Sequence, residues 1–355
     1  MAGCVRDNER GIALFLVLWV LTLLSVIVGE FCFAMRTDVN ITRNFKEQTE
    51  AYYIALAGMN RAISEMVRNE VILEKVKSKD REEKLEDVGG DEERPRWRVN
   101  ADIPSVPYGR GQFEIRIDNE SGKVNINGAN GSLLRIMLSG FDLDDNQESI
   151  IVDSILDWRD KNDLHRLNGA EDDYYKSLSR PYNCKNGDFD SVEELLMVRG
   201  VTPEIFYGGL RDIVTVFKPP ERRVRLRAGY KVVSAPVNKI NINAASREVL
   251  LVLPSMTEEL AEEIINYRKD SDFKALTEIS SIVGPEVYKA IAPFITLKAS
   301  PFYTIVCVGK VEGADVEQGV EGVVEIGKKL RGGYRVIQWR DSLGDCGEES
   351  SATTE

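Results

Sequence analysis

From Ile12 to Ala34 the chain is apolar except for Thr22, Ser25 and Glu30, and nothing else in it restricts the possible folds as much. As a helix rising about 1.5 Å per residue, this run can cross a hydrocarbon core about 30 Å thick. A cleaved secretory signal has an apolar region of only about 7–15 residues, closed by a small-residue site. Here the run is longer and no such site closes it. Arg6 and Arg10 in the preceding leader are offset by Asp7 and Glu9, so flanking charge says little about orientation. The run is expected to anchor an extracytoplasmic protein to a membrane.

Helical patterning continues beyond the apolar run. Tyr52, Leu56, Met59, Ile63 and Met66 recur at three- and four-residue steps, while Glu47, Glu50, Arg61 and Glu65 lie off that stripe. The spacing predicts one long helix, lipid-embedded in its first half and packed on a domain in its second. It should end before the charged stretch Lys75 to Arg94, which is expected to be a flexible solvated loop.

Beyond that loop, Trp97–Ala101 and Gly111–Ile117 are predicted strands, the second with clean period-two alternation. A matching β region follows near the C-terminus, at Phe302–Val308, Gly319–Ile326 and Tyr334–Trp339. Between them lies a helical stretch, roughly residues 125 to 297. The two β regions need each other as neighbours, so a helical region inserted into a small antiparallel sheet is expected, an α+β fold. Within the insertion, Lys123–Ala129 (KVNINGA) recurs as Lys239–Ala245 (KININAA), which predicts two related helical units. In each, an Asn before a small-residue helix start suggests an N-cap.

Composition narrows the chemistry. A formal charge of −12 and a pI near 5.0 argue against a general nucleic-acid binder. The local basic run Glu221–Arg227 suits a solvated strand or linker. His165 is the only histidine, so metal sites needing two are ruled out. The five cysteines show no metal-ligand spacing; a disulfide among Cys184, Cys307 and Cys346 is compatible with an oxidising compartment. No P-loop, dinucleotide or nucleophile-elbow motif occurs, so no enzyme is expected; a paired-carboxylate hydrolase is the enzymatic alternative.

One stretch is dense in oxygen ligands: Asp157-Trp158-Arg159-Asp160-Lys161-Asn162-Asp163, then Asn168-Gly169-Ala170-Glu171-Asp172-Asp173. Asp157 and Asp160 would share a face if the Ser149–Trp158 helix extends through them, and Gly169 permits a turn bringing Glu171 and Asp172 back toward them. Such a set suits a hard cation, and a solvated acidic loop fits it equally. Trp158 is expected to pack in the core. Asp142–Asp145 is expected to start a helix rather than bind metal.

A short charged leader ending in Gly11, an apolar helix and an amphipathic continuation form the type IV pilin-like layout. RGIALFLVLWVLTLLSV, with AYYIALAGMNRAISEM downstream, resembles the minor pseudopilins of type II secretion. D-W-x-D, N-G-A-E-D-D-Y-Y and S-V-E-E-L-x-x-V-x-G (Ser191–Gly200) resemble the K-type members in particular. This resemblance implies cleavage after Gly11 by a prepilin peptidase and N-methylation of Ile12. Most such subunits carry Glu at the fifth mature position, where this chain has Leu16. A buried charge pair needs both partners, and an unpaired carboxylate in lipid costs several kcal/mol. Leu16 thus implies the tip of the fibre, where no subunit lies above.

The resemblance further implies structural calcium held by Asp160, Asn162, Glu171 and Asp172, with Asp157 as a further candidate. Family members often have Asp where Asn162 stands. Implied partners are the I- and J-type minor pseudopilins, the inner-membrane assembly platform and the prepilin peptidase. The body would lie in the periplasm, below the outer membrane. The expected fold is a type IV pilin-like helix plus sheet, with an inserted all-α region of SAM-like or helix-hairpin-helix units. Its expected divisions are leader 1–11, transmembrane half 12–34, periplasmic half 35–74, β region 95–122 and 300–340, helical units 123–218 and 238–297, and disordered tail 341–355. The second unit also resembles the helix-hairpin-helix module of DNA-uptake proteins, which makes a membrane-anchored DNA-binding protein the alternative function. Its hairpin Leu253-Pro254-Ser255-Met256 lacks Gly, and Glu258 and Glu259 follow it, an arrangement that would repel phosphate.

Overall fold

The computed structural model describes residues 9–79, 97–101, 103–218, 222–226, 229–233 and 238–342. The expected leader residues 1–8, the rest of the charged stretch from residue 80 to 94, and the tail from residue 343 lie outside the described residues. Helix α1 (Glu9–Lys79) is continuous over 71 residues. It runs five residues into the charged stretch that was expected to be loop, since Lys and Glu are good helix formers and charge alone does not stop a helix.

Along the chain follow β1 (Val106–Tyr108) and β2 (Gly111–Asn119), then a first helical unit. It comprises β3 (Val124–Asn125), α2 (Gly131–Leu138), α3 (Asp145–Arg159), α4 (Asp172–Ser177), the short turns α5 (Pro203–Ile205) and α6 (Arg211–Ile213), and β4 (Val214–Thr215). Within the basic run, β5 (Arg222–Leu226) pairs antiparallel with β6 (Gly229–Val233). A second unit comprises β7 (Ile240–Asn241), α7 (Arg247–Leu251), α8 (Glu258–Asp270), α9 (Leu276–Val283), α10 (Pro285–Ile291) and β8 (Ile295–Thr296). The chain closes with β9 (Phe302–Val311), β10 (Glu317–Ile326) and β11 (Tyr334–Ser342).

The strands on either side of the insertion pair as expected. β2 runs antiparallel to β9, with Ile115 opposite Cys307, in a five-stranded sheet ordered β1-β2-β9-β10-β11. Trp97–Ala101 is not a strand: residues 99–100 turn, with Asn100 at φ 54°. The alternation of β2 buries Phe113, Ile115 and Ile117 against Ile54, Met59, Ile63 and Met66 of α1. A second core runs through both helical units. Where the chain leaves the sheet, Asn119 exchanges hydrogen bonds with the Ser300 backbone (2.8 and 3.1 Å), and buried Glu120 accepts from Thr304 Oγ1 (2.6 Å). These bonds tie the exit from β2 to the return into β9.

The internal repeat is structural. In each copy a short parallel strand pair closes the unit, β3 with β4 and β7 with β8. Asn127 donates to Phe189 O and accepts from Phe189 N, as Asn243 does with Phe273. Arg159 donates to Ile126 O and Ala129 O, as Arg268 does to Ile242 O and Ala245 O. The repeated asparagines are therefore internal clamps and not N-caps; Asn130 and Ser246 cap α2 and α7. Cys184 and Cys307 are free thiols buried in different cores.

Candidate functional site

The two copies of the unit differ most at one place. Residues 160–188 separate Arg159 from Phe189 in the first, whereas only 269–272 separate Arg268 from Phe273 in the second. The acidic cluster occupies that longer excursion. It starts where α3, begun by an Asp144–Gln147 capping box, ends with Asp160 as C-cap at ψ 174°. The helix thus stops before Asp160, so Asp157 and Asp160 do not share a helical face as expected.

What joins them is Arg166. Its guanidinium donates to Asp157 Oδ1 and to Asp160 Oδ2 (2.8 Å), and its backbone N–H donates to Asp157 Oδ2 (3.0 Å). Gly169 packs against this pair; a Cβ there would fall 1.7 Å from Asp157 Oδ2. Asp160 Oδ1 accepts from Asn162 N and Nδ2, and Asn162 Oδ1 accepts from Leu164 N (3.0 Å). In the sequence Arg166 is, with Lys161, one of two cations in the otherwise carboxylate-rich stretch from Asp160 to Asp173.

Glu171 differs from its neighbours. It is 2% exposed, and its carboxylate is met by the Cys184 thiol, a weak donor, with no N–H or O–H partner among the described residues. Burial raises its pKa, the nearby Cys184 thiol offsets this only in part, and the negative charges of Asp157, Asp160 and Asp163 raise it further. Burial likewise raises Asp157, against the opposing pull of Arg166. Asp172 turns outward instead: Lys176 and the Cys184 N–H (2.8 Å) hold its carboxyl below the usual range. Of the five expected ligands, Asp157, Asp160 and Asn162 are linked through Arg166 and local turns, Glu171 shares their field, and Asp172 has other partners. Among the described residues, no three His, Cys, Asp or Glu side chains converge as a metal-holding group. Beneath the loop, Trp158 is 2% exposed and packs on Tyr175 (5.2 Å between centroids) and Phe189, a core position as expected.

α1 contains a stretch long and apolar enough to cross a membrane, with Leu16 53% exposed on it. Gly11 and Ile12 lie within its helical backbone. In the second unit, Ser255 takes the turn at φ 60° in place of Gly, and Glu258 and Glu259 form the first turn of α8. Arg268, which a DNA-binding function would offer to phosphate, is 8% exposed and committed to two internal carbonyls; burial pulls its guanidinium down to about 10.

Comparison with known proteins agrees with this layout. Residues 117–220 match the family model described as type II secretion system (T2SS), protein K, and residues 236–296 match the helix-hairpin-helix motif. The chain is 23% identical over 301 residues to type II secretion system protein K of Pseudomonas aeruginosa, covering 80% of this chain and 82% of that protein. The Aeromonas hydrophila protein K is 24% identical over 225 residues, 58% of this chain and 62% of that protein. The fold matches a chain in the crystal structure of the GspK-GspI-GspJ complex from the type 2 secretion system of enterotoxigenic Escherichia coli. That match has a TM-score of 0.54 at 15% identity, over 85% of this chain and 99% of that one. Residues 117–220 thus resemble the type II secretion system protein K family, and the similarity to one protein K extends over 80% of this chain.

Proposed function

We propose that this chain is a minor pseudopilin of type II secretion that caps the tip of the pseudopilus and starts its assembly. The observation that carries this is the junction of an exposed, lipid-compatible α1 with a protein K domain in one chain. A prepilin peptidase cuts after Gly11, and Ile12 becomes the methylated N-terminus. Leu16 leaves no carboxylate to pair with a subunit above. The anchor lies in the inner membrane with the body in the periplasm, and the assembly platform handles it there. The fold neighbour was crystallised as a complex with GspI and GspJ, which supports the I- and J-type pseudopilins as partners. Mass spectrometry of the mature protein should find a chain starting at methylated Ile12; any other start would count against this function.

Calcium is part of the same proposal. The buried oxygens of Glu171, met by the weak Cys184 thiol donor, and the half-buried Asp160 would suit a hard cation. With Asp157, Asn162 and Asp172 they would hold it once Asp172 turned in from Lys176 and the Cys184 N–H, and the ion would add to Arg166 in neutralising the cluster. Its role would be structural, pinning the long loop. Calcium is therefore expected to raise the melting temperature of the full chain above its value in chelator. Glu171→Gln should remove that increase while raising the melting temperature in chelator, because a neutral amide costs less to bury than a carboxylate. Equal melting with and without calcium would sink the structural ion.

A further inference from the structure

Two of the carboxylates expected to hold calcium already share a cation. Arg166 Nη1 donates both to Asp157 Oδ1 and to Asp160 Oδ2, so a single nitrogen bridges two carboxylates from different residues. The other oxygens of the pair are engaged as well. Asp157 Oδ2 accepts from the Arg166 backbone N–H, and Asp160 Oδ1 accepts from Asn162 N and Nδ2. Asp157 is fully buried, whereas the Arg166 side chain is 39% exposed. Gly169 closes the Oδ2 side of Asp157, since a Cβ there would stand 1.7 Å from that oxygen. The guanidinium takes the side that remains.

An ion that takes Asp157 Oδ1 and Asp160 Oδ2 meets Nη1 on the same two oxygens. Calcium binds carboxylate oxygens at about 2.3–2.6 Å, and two positive charges at such range repel strongly in a partly buried site. One of them must yield. The guanidinium can leave without unfolding the unit, because both ends of the excursion are fixed by other residues. Arg159 donates to Ile126 O and Ala129 O before it, and Asn127 clamps Phe189 after it. In the second unit residues 269–272 alone span the same gap, so the fold of a unit does not need the excursion. Beside Arg166, Leu164 and Leu167 are 79% and 94% exposed and do not wall it in. Rotation about the arginine stem would carry the guanidinium into solvent while the backbone N–H stays on Asp157.

We propose that Arg166 and calcium compete for Asp157 and Asp160: the arginine is a tethered counter-ion that holds the pair until calcium displaces its guanidinium into solvent. The inference rests on the structural calcium proposed above and adds what the ion must displace. A site closed in most chains binds with an affinity lowered by the fraction that is open. Arg166 therefore sets the calcium concentration at which the loop responds.

The test uses the full wild-type chain in detergent and phenylglyoxal, which reacts with guanidinium groups that are unpaired and open to solvent. Site-resolved mass spectrometry should find Arg166 modified about tenfold faster in calcium than in chelator at equal ionic strength, with Arg331, an exposed arginine far from the loop in sequence, unchanged. In parallel, Arg166→Met keeps an apolar stem and removes the charge. Calorimetric titration of that variant should give a calcium affinity about tenfold above the wild type. A calcium-induced rise in melting temperature with unchanged or slower modification of Arg166 would overturn the competition and leave the structural ion standing. Equal calcium affinity in wild type and Arg166→Met would do the same. No effect of calcium on melting, heat or modification would overturn both the competition and the ion beneath it. Should Arg166→Met fail to fold, modification of the wild type decides alone.

Discussion

Replacing Gly309 by alanine is expected to loosen α1 from the sheet and to cost about 3 kcal/mol or more, the upper end for overpacking. Gly309 lies on β9 directly under the helix, opposite Phe113 of β2. A Cβ there would stand 2.1 Å from Ala51 O and 2.6 Å from Ala55 N. Both are backbone atoms of a helix, so no side chain can rotate aside. The helix meets the sheet through small residues, Ala51, Ala55, Gly58 and Ala62, and a Cβ on Gly58 would lie 2.3 Å from Cys307 Sγ. Lifting α1 would expose Ile54, Met59, Ile63 and Met66, each about 1.5–3 kcal/mol of burial. Gly208→Ala, with nothing within 4 Å of the added carbon, is the control and should be nearly neutral. Denaturant midpoints of the full chain in detergent would show the difference. On the proposed function, the variant in cells should lose assembly and keep processing at Gly11, because the change loosens α1 from the sheet and leaves the leader untouched.

The architecture was readable in the sequence wherever one periodicity ran long enough. The apolar run and the stripe from Tyr52 to Met66 predicted α1, and alternation in Gly111–Ile117 predicted β2. Recurrence of K-x-N-I-N predicted two units. Physical detail failed where a residue's partner is distant or where local rules compete. Trp97–Ala101 has strand-like composition, but Asn100 adopts a left-handed turn conformation that Asn tolerates better than most residues. Asn127 and Asn243 precede small residues as N-caps do, yet each spends its amide on a backbone segment that sequence spacing does not reveal. Arg268 sits in a helix that resembles a DNA-binding module, and only burial shows that its charge is spent inside. Asp157 and Asp160 have helical spacing, but the helix ends before the second. Their connection is an arginine from the returning loop, which helix periodicity cannot place.

That arginine carries the second large effect. Arg166→Ala would leave Asp157, 0% exposed, with the Arg166 backbone N–H and no counter-charge. Removing one partner of a buried ion pair costs about 3–5 kcal/mol; Arg166 itself is 39% exposed, so solvent screening places the expected loss toward 3 kcal/mol or below. The sign with pH follows from Asp157, whose folded pKa is already raised by burial and would rise further without the guanidinium. A carboxyl with a raised folded pKa favours the folded state most below its unfolded pKa, and that advantage is lost as pH rises through the folded value. The gap between wild type and Arg166→Ala should therefore be widest at neutral pH and narrow in mild acid, where Asp157 takes up a proton. Glu171 moves in the same direction in both proteins, so it largely cancels from the difference. Urea titrations at neutral and mildly acid pH would measure this; a gap that stays constant would show that Arg166 acts through packing of its stem and not through charge. Calcium adds a further arm to the same experiment. With Arg166 gone, the cluster keeps Asp157, Asp160 and Glu171 and loses its internal cation, so calcium should stabilise the variant more than it stabilises the wild type.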